Sequence, residues 1–90
     1  MHDRYLEVTY RHGKPLAAYL YLPRNENAKS ARVVQEQNGL LVDLGEDGRP
    51  IGIEILSPCE ASLRSINEVL AKYALPSLDH GEVAPLAIVG

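Results

Sequence analysis

Cys59 is the only cysteine in the 90-residue chain, and it follows Ser57-Pro58 at the start of an amphipathic stretch. A thiol at the second position of a helix sits among free N–H groups, which favour the thiolate. Asp79-His80 supplies an orienter and a base, so Cys59, His80 and Asp79 hold the residue types of a nucleophilic set. Their spacing does not bring them together, and the commoner role of such a cysteine is a small buried hydrophobe. A second candidate is the carboxylate pair Asp43 and Glu54, suited to acid–base work. With Asp47 and Gly48 these residues also match positions 1, 5, 6 and 12 of a calcium loop. The flanks alternate like strands, Gly45 removes the third ligand and Pro50 disturbs the exit, so no metal site is expected.

Other candidates are weaker. His2, His12 and His80 share no ligand spacing. Gly45, Gly48 and Gly52 lack the phosphate-loop lysine, and Glu46 and Asp47 would repel phosphate. Arg11, Lys14, Arg24 and Lys29 lie near tyrosines that can stack on bases, but a net charge of −3 argues against nucleic acid. The charge is uneven: residues 1–36 hold six basic and four acidic side chains, residues 37–90 three and eight. Such asymmetry is compatible with head-to-tail contacts or a charged partner, but two solvated faces are the commoner reading of it.

The elements that must position these residues are mostly strands. Arg4 to Tyr10 and Ala17 to Leu22 alternate with period two, separated by the break Arg11-His12-Gly13-Lys14-Pro15. Ser30 to Glu36 reads as a weaker third strand, and Asn38-Gly39 as a tight hairpin turn into Leu40 to Leu44. Glu46-Asp47-Gly48 leads to a fifth strand, Ile51 to Leu56. Pairing Leu44 with Arg49 sets Val42 opposite Ile51 and Leu40 opposite Ile53, with Leu40, Val42, Leu44, Ile51, Ile53 and Ile55 on one aliphatic face. Ser57 to Glu60 reads as a capping box for a helix over 58–74, with Leu63, Ile66, Val69, Leu70 and Tyr73 in one stripe. The expected fold is a single α+β domain over residues 1–90: a four- to five-stranded antiparallel meander over 4–56, one C-terminal helix on one face, and an irregular apolar tail over 75–90.

The stretch Gly39 to Leu56 resembles a small bacterial family catalogued as domain of unknown function 2283. The resemblance rests on Val42-Asp43, the turn Glu46-Asp47-Gly48 and the closing Gly52-Ile53-Glu54-Ile55-Leu56, and extends weakly upstream through Ala18 to Leu22 and Tyr10. Gly45 and Pro50 depart from the family's pattern. The resemblance implies a fold, no catalytic residues, and for some members a role as neutralising partner of a small toxin-like protein.

If the helix covers the aliphatic face, the other face presents Tyr5, Tyr19, Tyr21, Leu41 and Leu56. An apolar surface of that kind marks association. The first expectation is a non-enzymatic, homodimeric interaction module with a protein as partner and no cofactor. The alternatives are a small enzyme using Cys59 or the Asp43/Glu54 pair, and a nucleic-acid binder. The start lacks a signal-peptide pattern and no segment reaches the ~20 apolar residues of a membrane span, so the cytoplasm is the expected location.

Overall fold

A computed structural model of the chain describes residues 4–23, 29–58 and 61–86. It contains five strands, β1 (Tyr5–Arg11), β2 (Lys14–Tyr21), β3 (Arg32–Gln35), β4 (Leu40–Leu44) and β5 (Pro50–Ile55), and one helix, α1 (Leu63–Lys72). The strands form one antiparallel sheet in the order β1-β2-β5-β4-β3. The fold is therefore α+β as expected, but the sheet is not a meander. β5 inserts between β2 and β4, giving β2 to β5 the Greek-key order. The physical reason lies in the strands themselves. β5 is the most continuously buried, and a central place gives its backbone hydrogen-bond partners on both sides. β3 is short and mostly exposed, which suits an edge. The chain between β2 and β3 is long enough to cross the roughly 14 Å spanned by three strand spacings.

Two tight turns follow their residues. Asn38 and Gly39 adopt φ of 54° and 72°, and His12 and Gly13 adopt 54° and 76°. Positive φ at both central positions is what the twist of a two-residue hairpin demands, as at His12-Gly13 between the paired Arg11 and Lys14. At Asn38-Gly39 the loop holds a third residue, Gln37, because Glu36 N–H donates to the Leu40 carbonyl and Gln35 pairs with Leu41. The β4–β5 loop is wider than expected. Gly45 N–H donates to the Arg49 carbonyl at 2.8 Å, and the Asp47 carboxylate accepts from Arg49 N–H at 3.0 Å. A bulge at Leu44 then leaves Ile51 as the extra residue. Val42 consequently pairs with Ile53 and Leu40 with Ile55, two residues from the expected register. A shift of two preserves which side chains share a face. Only Ile51 is displaced, buried but outside the main core cluster.

That cluster unites Ala18, Leu20, Leu40, Val42, Leu44, Ile53 and Ile55 of the sheet with Leu63, Ile66, Val69 and Leu70 of α1. The helix begins later than the expected 58. Ser57 instead accepts from Ala61 N–H in a single turn, and Ser62 caps α1 in a reciprocal box with Ser65. Ser65 has a hydroxyl short enough to complete that box, which fixes the cap there. At the other end Ala74 takes φ 59°, Leu75 N–H donates to Leu70 and Ala74 N–H to Ala71, a Schellman motif. The tail then folds back. Leu78, Val83 and Leu86 enter the same core, Asn67 holds Leu78 by both backbone groups, and Arg4 donates to the Pro76 and Ser77 carbonyls and to Glu82. Helix and tail thus share one side of the sheet. Residues 87–90 of the apolar tail lie outside the described residues. Among the described residues no helix is long and apolar enough to cross a membrane.

Candidate interaction surface

The side of the sheet away from α1 carries alternate residues of all five strands. The pairings set Tyr5, Tyr21, Gly52, Asp43 and Val33 in one row across the sheet. Glu7, Tyr19, Glu54, Leu41 and Gln35 form the next row. Alternation continues the surface through Thr9, Ala17 and Leu56 to Arg11, and a bulge that leaves Leu16 as an extra residue of β2 sets Lys14 opposite Arg11 at the β1–β2 tip. All five expected interface residues, Tyr5, Tyr19, Tyr21, Leu41 and Leu56, therefore share this face. Tyr5 and Leu56 are 45% and 46% exposed. Val33, 53% exposed, also belongs to it; a two-residue turn at Asn38-Gly39 would have set Val34 opposite Asp43, and the extra loop residue Gln37 brings Val33 there instead.

The tyrosines are ordered by one another. The Tyr5 and Tyr21 rings stack with centroids 4.5 Å apart at 16°, and Tyr19 lies 4.7 Å from Tyr21, tilted by 56°. Offset and tilted rings of this kind are favourable beyond the area they bury. Tyr19 also spans a strand. A side chain at residue 52 would have its Cβ only 2.0 Å from the Tyr19 hydroxyl, so the ring occupies the space a glycine leaves open. From there the hydroxyl donates to the Asp43 carboxylate at 2.5 Å, linking β2 to β4 across β5. Ser30 donates to the other Asp43 oxygen at 3.3 Å. Nothing in the strand pattern alone foretells this link; only a glycine facing out from a central strand signals that something lies over it.

These contacts give the family-like residues structural roles. Asp43 and Gly52 serve the Tyr19 crossing, Asp47 and Gly48 shape the loop, with Gly48 at φ 81°, and Glu54 stands on the open face. Asp43 and Glu54 sit on adjacent strands rather than in a loop between helices. Among the described residues no group of three histidine, cysteine or acidic side chains is placed to hold a metal ion. Asp79 accepts from Glu82 N–H at 2.9 Å while Glu82 accepts from Asp79 N–H at 3.2 Å, so Asp79 caps a turn of the tail. His80 is exposed on that turn, and Cys59 lies outside the described residues. The basic residues do not form one patch: Arg11 and Lys14 mark one end of the sheet, Lys29 precedes β3 at the other, and Arg24 lies outside the described residues.

The face has one shallow depression of about 200 Å³ lined by Glu7, Thr9, Ala17, Tyr19 and Glu54. Another, of about 280 Å³, lies against the β4–β5 loop beside Arg32 and Glu46. Both fall below the roughly 300–1,000 Å³ of pockets that enclose a small-molecule ligand. The geometry is that of a surface, with carboxylates at Glu7, Asp43 and Glu54 set among aromatic and aliphatic groups.

Residues 17–57 match the model of a family described as a protein of unknown function, DUF2283. The matched stretch begins within β2 and runs through β3, β4 and β5. It takes in Tyr19, Asp43, Gly52 and Glu54, and so contains the whole Tyr19 crossing. β1, α1 and the tail, which complete the sheet and its core, lie beyond it. No curated protein and no solved structure matches the chain.

Proposed function

We propose that the protein is an interaction module that works by docking its open sheet face on another polypeptide, in the first instance a second copy of itself. The observation that carries this reading is the side of the sheet that helix and tail leave bare. The core on the opposite side is complete, with Leu78, Val83 and Leu86 closing it together with α1. The open side still presents stacked tyrosines, Leu41, Val33 and Leu56 in one continuous patch. Apolar surface gathered in a patch, rather than scattered singly, is the mark of association. Tyrosine is also the residue most suited to such a surface, since its ring packs while its hydroxyl stays wet.

An enzyme reading has less to support it. Asp79 is occupied in a cap, Asp43 in the Tyr19 crossing, and the depressions are small. The nucleic-acid reading meets carboxylates where phosphates would lie. A neutralising role against a toxin-like protein, which the family resemblance implies, would use this same face with a different occupant. Sedimentation velocity across the micromolar range tests the proposal. The wild-type chain is expected to pass from monomer to dimer, and Leu41→Lys to remain monomeric while keeping its circular dichroism. A wild-type chain that stays monomeric throughout contradicts self-association.

A further inference from the structure

The open face is polarised along its strands, and that polarity says how two copies would meet. Glu7, Glu54 and Asp43 occupy its middle and one end, while Arg11 and Lys14 stand at the other end on the β1–β2 tip. No other basic side chain of the described residues falls on the two rows that carry the carboxylates. Two copies packed face to face are related by a two-fold axis lying in the interface, and the limiting directions of that axis are along the strands and across them. An axis along the strands lays the central β5 over itself and sets Glu54 against Glu54, which is repulsive. An axis across the strands keeps β1 over β1 but reverses its direction. The basic tip of each copy then covers the acidic and tyrosine-rich end of the other.

From this complementarity we infer that the protein forms an antiparallel two-fold dimer in which Arg11 of each copy pairs with Glu7 of the other. Lys14, which pairs with Arg11, then faces Tyr19, which pairs with Glu7, beside Glu54 on the neighbouring strand. Both Arg11 and Glu7 are exposed in the single chain, and the Glu7 carboxylate accepts only a long contact of 3.4 Å from the Tyr21 hydroxyl, so its second oxygen can meet a partner across the face. This rests on the self-association reading and specifies its geometry.

The test is a charge exchange. Arg11→Glu and Glu7→Lys each place two like-charge contacts in a homodimer, and each is expected to weaken dimerisation at least tenfold. An equimolar mixture of the two variants restores both contacts in the mixed dimer, and is expected to recover near-wild-type affinity in sedimentation equilibrium. Circular dichroism confirms that both exposed substitutions leave the fold intact. If the wild type dimerises but the variants do so equally well, or the mixture stays monomeric, the antiparallel geometry is wrong while self-association stands. If the wild type does not dimerise at all, both readings fall together.

Discussion

Tyr19 reaches Asp43 only because residue 52 has no side chain, and this single relation explains three positions at once. Gly52→Ala forces the Tyr19 ring out of its place and breaks the hydrogen bond, for an expected loss of about 1–2 kcal/mol. In a Tyr19→Ala background the same substitution should become neutral or stabilising, because glycine inside a strand costs roughly 0.5–1 kcal/mol relative to alanine. Urea denaturation of the four chains reads the change of sign directly. Ala74 offers the opposite case, a non-glycine residue held at φ 59° in the Schellman position after α1. Ala74→Gly is expected to raise stability by about 1 kcal/mol, seen as an increase of roughly 4–8 °C in Tm. Neither relation was legible beforehand. Residues 43, 52 and 19 are far apart in the chain, and the left-handed turn at Ala74 is set by how Leu75 must return to Leu70.

At the scale of elements, the β3–β4 turn is what fastens α1 to the sheet. The Glu36 carboxylate, 9% exposed, accepts from Lys72 at 2.9 and 3.1 Å and from Tyr73 at 2.8 Å, and Gln37 donates to Glu68 at 3.0 Å. The Lys72 ammonium first, and then the Tyr73 hydroxyl, hold the Glu36 carboxyl below its ordinary value. The folded chain therefore binds the proton less readily than the unfolded one. The stabilisation is full above the unfolded value of ~4.3 and fades as pH falls through the lower folded value. Burial and the neighbouring Glu36 push the Tyr73 phenol upward, so its share is present below ~10 and is lost at higher pH. Glu36→Gln should flatten the acid limb of the urea midpoint against pH and leave the neutral-to-mildly-alkaline plateau with a lower but parallel course. An unchanged acid limb would remove Glu36 from the account. The strands and the apolar stripe of α1 were readable because periods of two and of 3.6 are local properties. The start of α1 was not. Ser57-Pro58 carries the stronger local signal, yet the turn from Ser57 to Ala61 passes the cap to Ser62, where Ser65 completes it.

For the molecule as a whole, helix and tail cover one side of the sheet and, among the described residues, leave the other side open. Strand alternation was enough to gather Tyr5, Tyr19, Tyr21, Leu41 and Leu56 on that open side, since a register shift of two residues does not change faces. Strand order escaped, because the pairing of β2 with β5 is a long-range choice made by burial of the whole sheet. The ends of the tail segment were equally illegible, and Leu78, Val83 and Leu86 proved to belong to the core beside Leu6 and Val8. A dimer held partly by charges should weaken as salt rises, since exposed pairs are screened over about 10 Å at 0.1 M ionic strength. The most direct measurement is the dependence of amide and side-chain NMR shifts on protein concentration, from low micromolar to millimolar. Resonances of Glu7, Tyr19, Leu41 and Glu54 are expected to move together along one binding curve, while Arg64, Glu68 and Lys72 on α1 stay fixed. Shifts confined to the helix, or none at all, would contradict a docking surface on the open face.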